Sequence, residues 1–329
     1  MDFDLTEDQK EIKSTARSLL EARSPWAKVR EASESGSYDQ ALYKEVSELG
    51  WPGIAVAEEY GGQGLGSVEL AVLLEELGYA VAASPFLSSA AAASIIQAHG
   101  SADQQSKWLP GLASGEQTAG IGTRELAADA EQAAVIVLIG DDGSLELLDR
   151  ANADVEDRQT VDGTRRTARI TGGDAEPLEG TADRFYAAVA AEVVGLSQRA
   201  LDMTLEYVKD RKQFGTPVGA FQAVSHRCAE ILRSVEATRS AAYYAAWAVD
   251  ADPERLPEAA ALAAAAAADG AKEATASAIQ AHGGIGFTWE ADVHWMYKRA
   301  QLDAQLLGGS RKHRATLARI AGQRVAQAV

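Results

Sequence analysis

Arg211-Lys212-Gln213-Phe214-Gly215-Thr216-Pro217-Val218-Gly219-Ala220-Phe221-Gln222-Ala223-Val224 is an order of residues that no helix, turn or core requirement asks for by itself. It closes a long amphipathic pattern with a charged fork, passes a Gly/Pro turn and opens a second helical pattern. Around it the apolar spacing predicts helices over 185–210, 220–251, 257–282, 291–304 and 311–326. Long helices joined by short turns predict an antiparallel four-helix bundle over 183–329, with the last helix packed beside it.

Working back towards the N-terminus, segment 113–182 changes period. Short β-branched and apolar runs at 134–139, 145–148 and 167–170, separated by Gly, Asp and Asn, predict a small, shortened β domain. Segment 1–112 is again helical: Thr6 is an N-cap candidate, and 38–49 and 67–80 carry apolar residues at three and four residue spacing. The loop Ala55-Val56-Ala57-Glu58-Glu59-Tyr60-Gly61-Gly62-Gln63-Gly64-Leu65-Gly66 is predicted to hold backbone angles closed to other residues. The fold class expected is therefore mainly α: a helical domain, a truncated middle β domain and a helical bundle.

The 329 residues are 47% hydrophobic and 24% charged, an ordinary globular balance. A net charge of −17 argues against nucleic acid and anionic membrane as partners, because both select a basic face. The single cysteine, Cys228, fits a reducing compartment, and the start Met1-Asp2-Phe3-Asp4-Leu5-Thr6-Glu7-Asp8 carries no export signal, so a cytoplasmic location is expected. The alanine-rich run 259–268 is too short and too weakly apolar to span a bilayer.

The 211–224 stretch resembles the signature of the acyl-CoA dehydrogenase superfamily of flavoproteins. Gln280-Ala281-His282-Gly283-Gly284-Ile285-Gly286-Phe287-Thr288-Trp289-Glu290 resembles the same family's glycine turn, and Leu73-Leu74-Glu75-Glu76-Leu77-Gly78 its N-terminal domain. By itself Gly-Gly-Ile-Gly follows a helix and fails the strand-first context of a dinucleotide fingerprint. The resemblance implies that Arg211, Gln213, Phe214 and Gln222, with Gln280, Gly283, Gly284 and Gly286, touch an FAD bound mainly by a neighbouring subunit. Arg211 offers a planar five-donor fork suited to pyrophosphate, and Phe214 an aromatic wall. His226 and His282 have no Cys or Asp at metal-ligand spacing and read as structural or solvated, so no metal is expected.

Two departures from the family pattern shape the functional reading. Where members carry a Thr-Glu-Pro segment, a Gly-Ser-Asp segment and later a Trp-Ile-Thr segment around their own flavin, this chain reads Gly120-Ile121-Gly122-Thr123-Arg124-Glu125-Leu126-Ala127-Ala128-Asp129 and runs on into a strand. The family's catalytic Glu falls at Gly308 in Leu306-Leu307-Gly308-Gly309-Ser310, and the alternative base position early in the first bundle helix falls at Phe185 and Tyr186. No confident catalytic residue remains.

Glu192 interrupts an apolar run and is the weak candidate. A buried carboxylate must have a partner, so structural pairing with an Arg is weighed ahead of cofactor contact or a relocated base. The resemblance implies the short subunit of an actinobacterial α2β2 acyl-CoA dehydrogenase acting on bulky acyl-CoA substrates such as steroid side chains. A full-length relative would supply the flavin cradle and the Glu. The alternatives are a self-sufficient flavin dehydrogenase with a displaced base, and a flavin-free structural or regulatory homologue.

Overall fold

The structure, a computed structural model, describes residues 4–327; the first three residues of the stretch read for an export signal lie outside them. Six helices come first: α1 (Glu7–Arg23), α2 (Trp26–Ser35), α3 (Gln40–Glu48), α4 (Ser67–Tyr79), α5 (Phe86–His99) and α6 (Ala102–Ser114). Thr6 caps α1 as the sequence predicts: its hydroxyl accepts from Gln9 N at 3.2 Å, and the Gln9 side chain accepts from Thr6 N at 2.9 Å. In the 55–66 loop only Gly61 and Gly64 adopt positive φ. Gly62 is needed for a different reason, since a Cβ there would lie 2.1 Å from the Val56 carbonyl oxygen.

The middle segment forms a seven-stranded sheet where the apolar runs predict three strands. β1 (Ala119–Gly122), β2 (Ala127–Ala128), β3 (Val135–Ile139), β4 (Leu145–Asp149), β5 (Val155–Asp157), β6 (Thr167–Ile170) and β7 (Glu176–Leu178) lie in the order β5-β6-β2-β1-β3-β4-β7. Only β1 and β3 run parallel. The four strands without a sequence signal are two to four residues long. None carries more than one β-branched or large apolar residue, so tertiary pairing rather than propensity makes them strands.

Five helices complete the chain: α7 (Asp183–Asp210), α8 (Gln222–Ala251), α9 (Leu256–His282), α10 (Val293–Leu306) and α11 (Ser310–Gln327). Helices α8 and α9 run antiparallel, with Ser234 Oγ donating to Gly270 O at 3.2 Å and Arg227 reaching Ser277 Oγ at 3.4 Å. The alanine-rich run lies in α9 with most of its residues buried, and small side chains there let neighbouring helices approach closely. No helix of the described residues is long and apolar enough to cross a membrane.

The first helices are fixed to the bundle by α4 crossing α7 at backbone contact. A Cβ on Gly195 would lie 1.7 Å from Glu75 O, and one on Gly78 would lie 2.0 Å from Glu192 O. The α4 carboxylates at this crossing are buried and paired. Glu75 meets Lys13 at 2.8 Å, the Tyr243 hydroxyl at 2.6 Å and Arg239, while Glu76 takes the Arg17 fork. The predicted fold class holds: a mainly helical chain with helices at both ends and a small sheet between them.

Candidate functional site

The two motifs, about 70 positions apart in the sequence, meet at one end of the bundle. Tyr207, in the last turn of α7, stacks on His282, the last residue of α9, with ring centroids 4.5 Å apart and planes 20° apart. The His282 Nδ1 is also 2.8 Å from Ala278 O, and burial lowers its pKa, so this imidazole is spent on the joint between helices. His226 is exposed on α8.

Beyond α7 the chain does more than turn. Residues Lys212–Gln213 (β8) and Thr216–Pro217 (β9) pair as a small hairpin, closed by Arg211 O accepting from Val218 N at 2.8 Å. Its two-residue loop is Phe214-Gly215, with φ of 52° and 79°. Left-handed angles at both central residues match the strand twist of such a hairpin, a conformation that costs a bulky side chain about 1–2 kcal/mol. The Phe214 residue is 95% exposed, and its ring meets Phe221 edge-on at 6.5 Å, a residue itself 41% exposed. The chain thus holds an aromatic ring in water on a strained residue.

The other predicted contacts surround that ring's end of the bundle. Arg211 is exposed and its guanidinium has no ion pair or hydrogen bond among the described residues. Gln213 is exposed and donates only to the neighbouring Lys212 O, at 2.7 Å. Gln222 opens α8 and Gln280 sits in the last turn of α9, both exposed. Space is open where side chains at Gly283 and Gly284 would project, and Gly283 has φ of 65°. At Gly286 a Cβ would lie 2.4 Å from Ile279 O, so the turn's own packing also requires a glycine there.

The two positions at which the resemblance leads one to expect a base also converge. Gly308 ends α10 with φ of 74°, followed by Gly309 at 75°, and their amides bond back to Gln305 O and Ala304 O at 2.9 Å each. Tyr186 is buried and packs edge-on against His313 at 4.7 Å. Lys312 links the two positions: its Nζ is 3.3 Å from the Tyr186 hydroxyl, and its Cδ is 3.6 Å from where a Gly308 Cβ would stand. His313 Nε2 is 2.6 Å from Leu307 O. A cation and an imidazole therefore lie beside the two positions expected to carry a proton-accepting carboxylate.

Sequence reasoning passed over one carboxyl close by. Asp183, the first residue of α7, accepts from Thr181 Oγ1 at 2.6 Å, and burial raises its pKa, offset in part by Thr181 and by the field of His313. Its position in a helix's first turn, where an acid is favoured by the helix dipole, gave no signal of another role.

Glu192 lies deep between sheet and bundle in a cluster of five buried charged residues. Arg165, from the loop before β6, grips both its oxygens at 2.7 and 2.8 Å, and Arg299 of α10 reaches it at 3.0 Å. Arg165 also bonds Asp303 at 2.9 Å, and Arg299 bonds Asp162 and the Thr164 hydroxyl. Burial would raise Asp162, but the Arg299 charge and the Thr164 hydrogen bonds outweigh it and hold it below the usual range. Asp303 is pushed well up, by burial first and then by the neighbouring Glu192 charge. Glu192 is thus bound on both oxygens, and no proton-accepting site is left open.

Known proteins are similar to this chain over nearly its whole length. The acyl-CoA dehydrogenase N-terminal domain matches residues 6–116 and the acyl-CoA dehydrogenase C-terminal domain residues 181–322. Acyl-CoA dehydrogenase IpdE2 of Mycobacterium tuberculosis is 36% identical over 314 residues, covering 93% of this chain and 95% of that protein. The IpdE2 of Mycolicibacterium smegmatis is 33% identical, covering 94% and 97%. Among solved structures, a Tcur3481-Tcur3483 steroid ACAD variant superposes with a TM-score of 0.89 at 26% identity, covering 97% and 99% of the two chains. The ChsE4-ChsE5 complex of Mycobacterium tuberculosis superposes with a TM-score of 0.85 at 25% identity, covering 99% of each.

Proposed function

This chain belongs to the acyl-CoA dehydrogenase family, and from that premise we propose that it is the short, non-catalytic subunit of an α2β2 dehydrogenase. The observation that carries the reading is Phe214, a strained aromatic residue 95% exposed beside an unpaired Arg211 and an open glycine turn. Strain and exposure of this kind are costs to the isolated chain, and a ligand or partner that covers the ring offsets them.

The family's cofactor is FAD, and the residues fit it. Arg211 provides donors for a pyrophosphate, Phe214 a flat wall, Gln213, Gln222 and Gln280 amide hydrogen bonds, and the turn at Gly283, Gly284 and Gly286 bare backbone. When bound, FAD supplies the hydride acceptor for α,β-dehydrogenation of an acyl-CoA thioester. In this division of labour the present chain closes the dinucleotide site and excludes water from it. A full-length homologue contributes the flavin cradle and the carboxylate that removes the α-proton.

Three further observations support that division. Both family base positions end on Lys312 and His313. Glu192 is held by two arginines. Two of the superposed structures are of protein pairs, Tcur3481-Tcur3483 and ChsE4-ChsE5, the first a steroid ACAD. The substrate class that follows is the CoA thioester of a bulky acyl chain such as a steroid side chain, handled in the cytoplasm.

Co-expression with a full-length relative tests the reading: about one FAD per heterodimer should be retained, and Arg211→Ala should reduce retention. Yellow, catalytically active homodimers of this chain alone overturn it. One observation favours a second reading, a self-sufficient enzyme with a displaced base: the raised carboxyl of Asp183 beside His313. If homodimers reduce flavin with an acyl-CoA, loss of that reaction in Asp183→Asn identifies the base.

A further inference from the structure

A cleft of about 320 Å³ opens where the junction of α1 and α2 faces the end of α4 and the middle of α7. It is separate from the flavin motifs and is lined by Arg17, Glu21, Ser24, Trp26, Tyr79 and Arg199. Its volume is at the lower end of the range that holds small organic ligands.

The charged groups in the cleft divide into spent and unspent. Arg17 is spent: it pairs as a fork with Glu76 and lies 3.3 Å from the Tyr79 ring centroid. Arg199 is held but not neutralised. Its guanidinium carbon sits 5.2 Å from the Trp26 ring centroid and 4.9 Å from that of Tyr79, and one nitrogen donates to the Tyr79 hydroxyl at 3.3 Å. That hydroxyl donates in turn to Asp202 at 2.9 Å. No carboxylate pairs with Arg199 among the described residues, and Glu21 has no ion-pair partner there either. A guanidinium carries five N–H donors, so most of those on Arg199 remain available.

An oriented guanidinium, an indole face and a free carboxylate together specify a ligand with three parts. The guanidinium takes an oxyanion, the indole a flat ring and the carboxylate a pair of hydroxyl donors. We propose that this cleft binds an adenosine phosphate, with the base on Trp26, the ribose hydroxyls on Glu21 and the phosphate on Arg199. The same chemistry is offered by a free adenine nucleotide and by the adenosine end of a CoA ester. None of the flavin-motif residues takes part, so the assignment does not depend on the subunit reading above.

Isothermal titration of the purified full-length chain, alone and in its complex, tests this with adenosine 5′-monophosphate, adenosine 3′,5′-bisphosphate, CoA and 2′-deoxyadenosine 5′-monophosphate. Saturable binding should weaken at least about tenfold in Arg199→Gln, the loss of one charge-assisted hydrogen bond. In the exposed-site variant Glu21→Gln the preference for ribose over 2′-deoxyribose should disappear. Binding of the 5′-monophosphate identifies a free nucleotide as the source; binding of CoA and the bisphosphate without it identifies the CoA end. Absence of binding by all four overturns the proposal. So does binding that survives Arg199→Gln and Glu21→Gln unchanged but is lost in Arg211→Ala, which places the nucleotide on the flavin motif instead.

Discussion

Lys312 Nζ lies 3.3 Å from the Tyr186 hydroxyl while the same side chain's Cδ packs over Gly308. One cation thereby covers both positions, 122 residues apart, from which relatives in this family are expected to present a base. A carboxylate added at one of them would meet an ammonium group and a backbone already committed to left-handed glycine angles.

Gly308→Glu is therefore expected not to create a dehydrogenase. The residue has φ of 74°, where a side chain costs about 1–2 kcal/mol. The melting temperature should fall by roughly 2–4 °C. Stopped-flow flavin reduction by an acyl-CoA should show no new phase in homodimers of the variant, and a new phase would refute the assignment of this position.

Phe214→Gly separates folding from binding. Removing the ring relieves a positive φ and loses almost no intrachain contact, so chemical denaturation of the isolated chain should be unchanged within about 0.5 kcal/mol or slightly improved. Flavin retention in the hetero-complex, followed by FAD fluorescence, should weaken about tenfold or more. A destabilised chain with normal flavin retention would make Phe214 a packing residue.

Glu192→Gln removes the carboxylate shared by Arg165 and Arg299, leaving two buried guanidinium groups short of charge. The expected cost is about 3–5 kcal/mol of stability. Turnover per folded, flavin-loaded complex should stay near wild type. A stable variant without turnover would instead make Glu192 catalytic.

Asp303 sets a pH dependence of definite sign. Its folded pKa is raised above its ordinary value, so the folded state binds the extra proton. The stability it contributes is complete below the usual aspartate range and is lost as pH rises through the folded pKa. Asp162 is depressed and works in the opposite direction, losing its contribution as pH falls below the usual range. Asp303→Asn keeps a neutral group in place. Urea unfolding across pH 5–8 should show a flatter decline than wild type, with about equal or greater stability at the upper end; a steeper decline would place the proton elsewhere.

Much of the helical frame was legible because its cause is local. Apolar spacing of three and four residues marked α4, α7, α8 and α9 to within a few residues, and Thr6 as an N-cap candidate marked the start of α1. The short strands β1, β2, β5 and β7 were not legible, since segments with at most one large apolar residue become strands only when a neighbour supplies the ladder. The hairpin at 212–217 was seen as a turn, but its left-handed Phe214 has no sequence signal of its own. Asp183 looked like an ordinary helix-start acid.

The sequence by itself determined that this chain is a mainly helical member of a flavin-dependent family, that the positions expected to carry a base fall at Gly308, Phe185 and Tyr186, and that a buried Glu192 must have a cationic partner. Periodicity, motif wording and the cost of burying a lone charge are all readable from residues near one another in the chain. Only the tertiary structure decided which groups meet: Arg165 and Arg299, 27 and 107 residues from Glu192, and Lys312 between Tyr186 and Gly308. Those contacts are made by loops and helix faces whose juxtaposition depends on how α4, α7 and α10 pack, and packing of distant segments leaves no periodic trace in the order of residues.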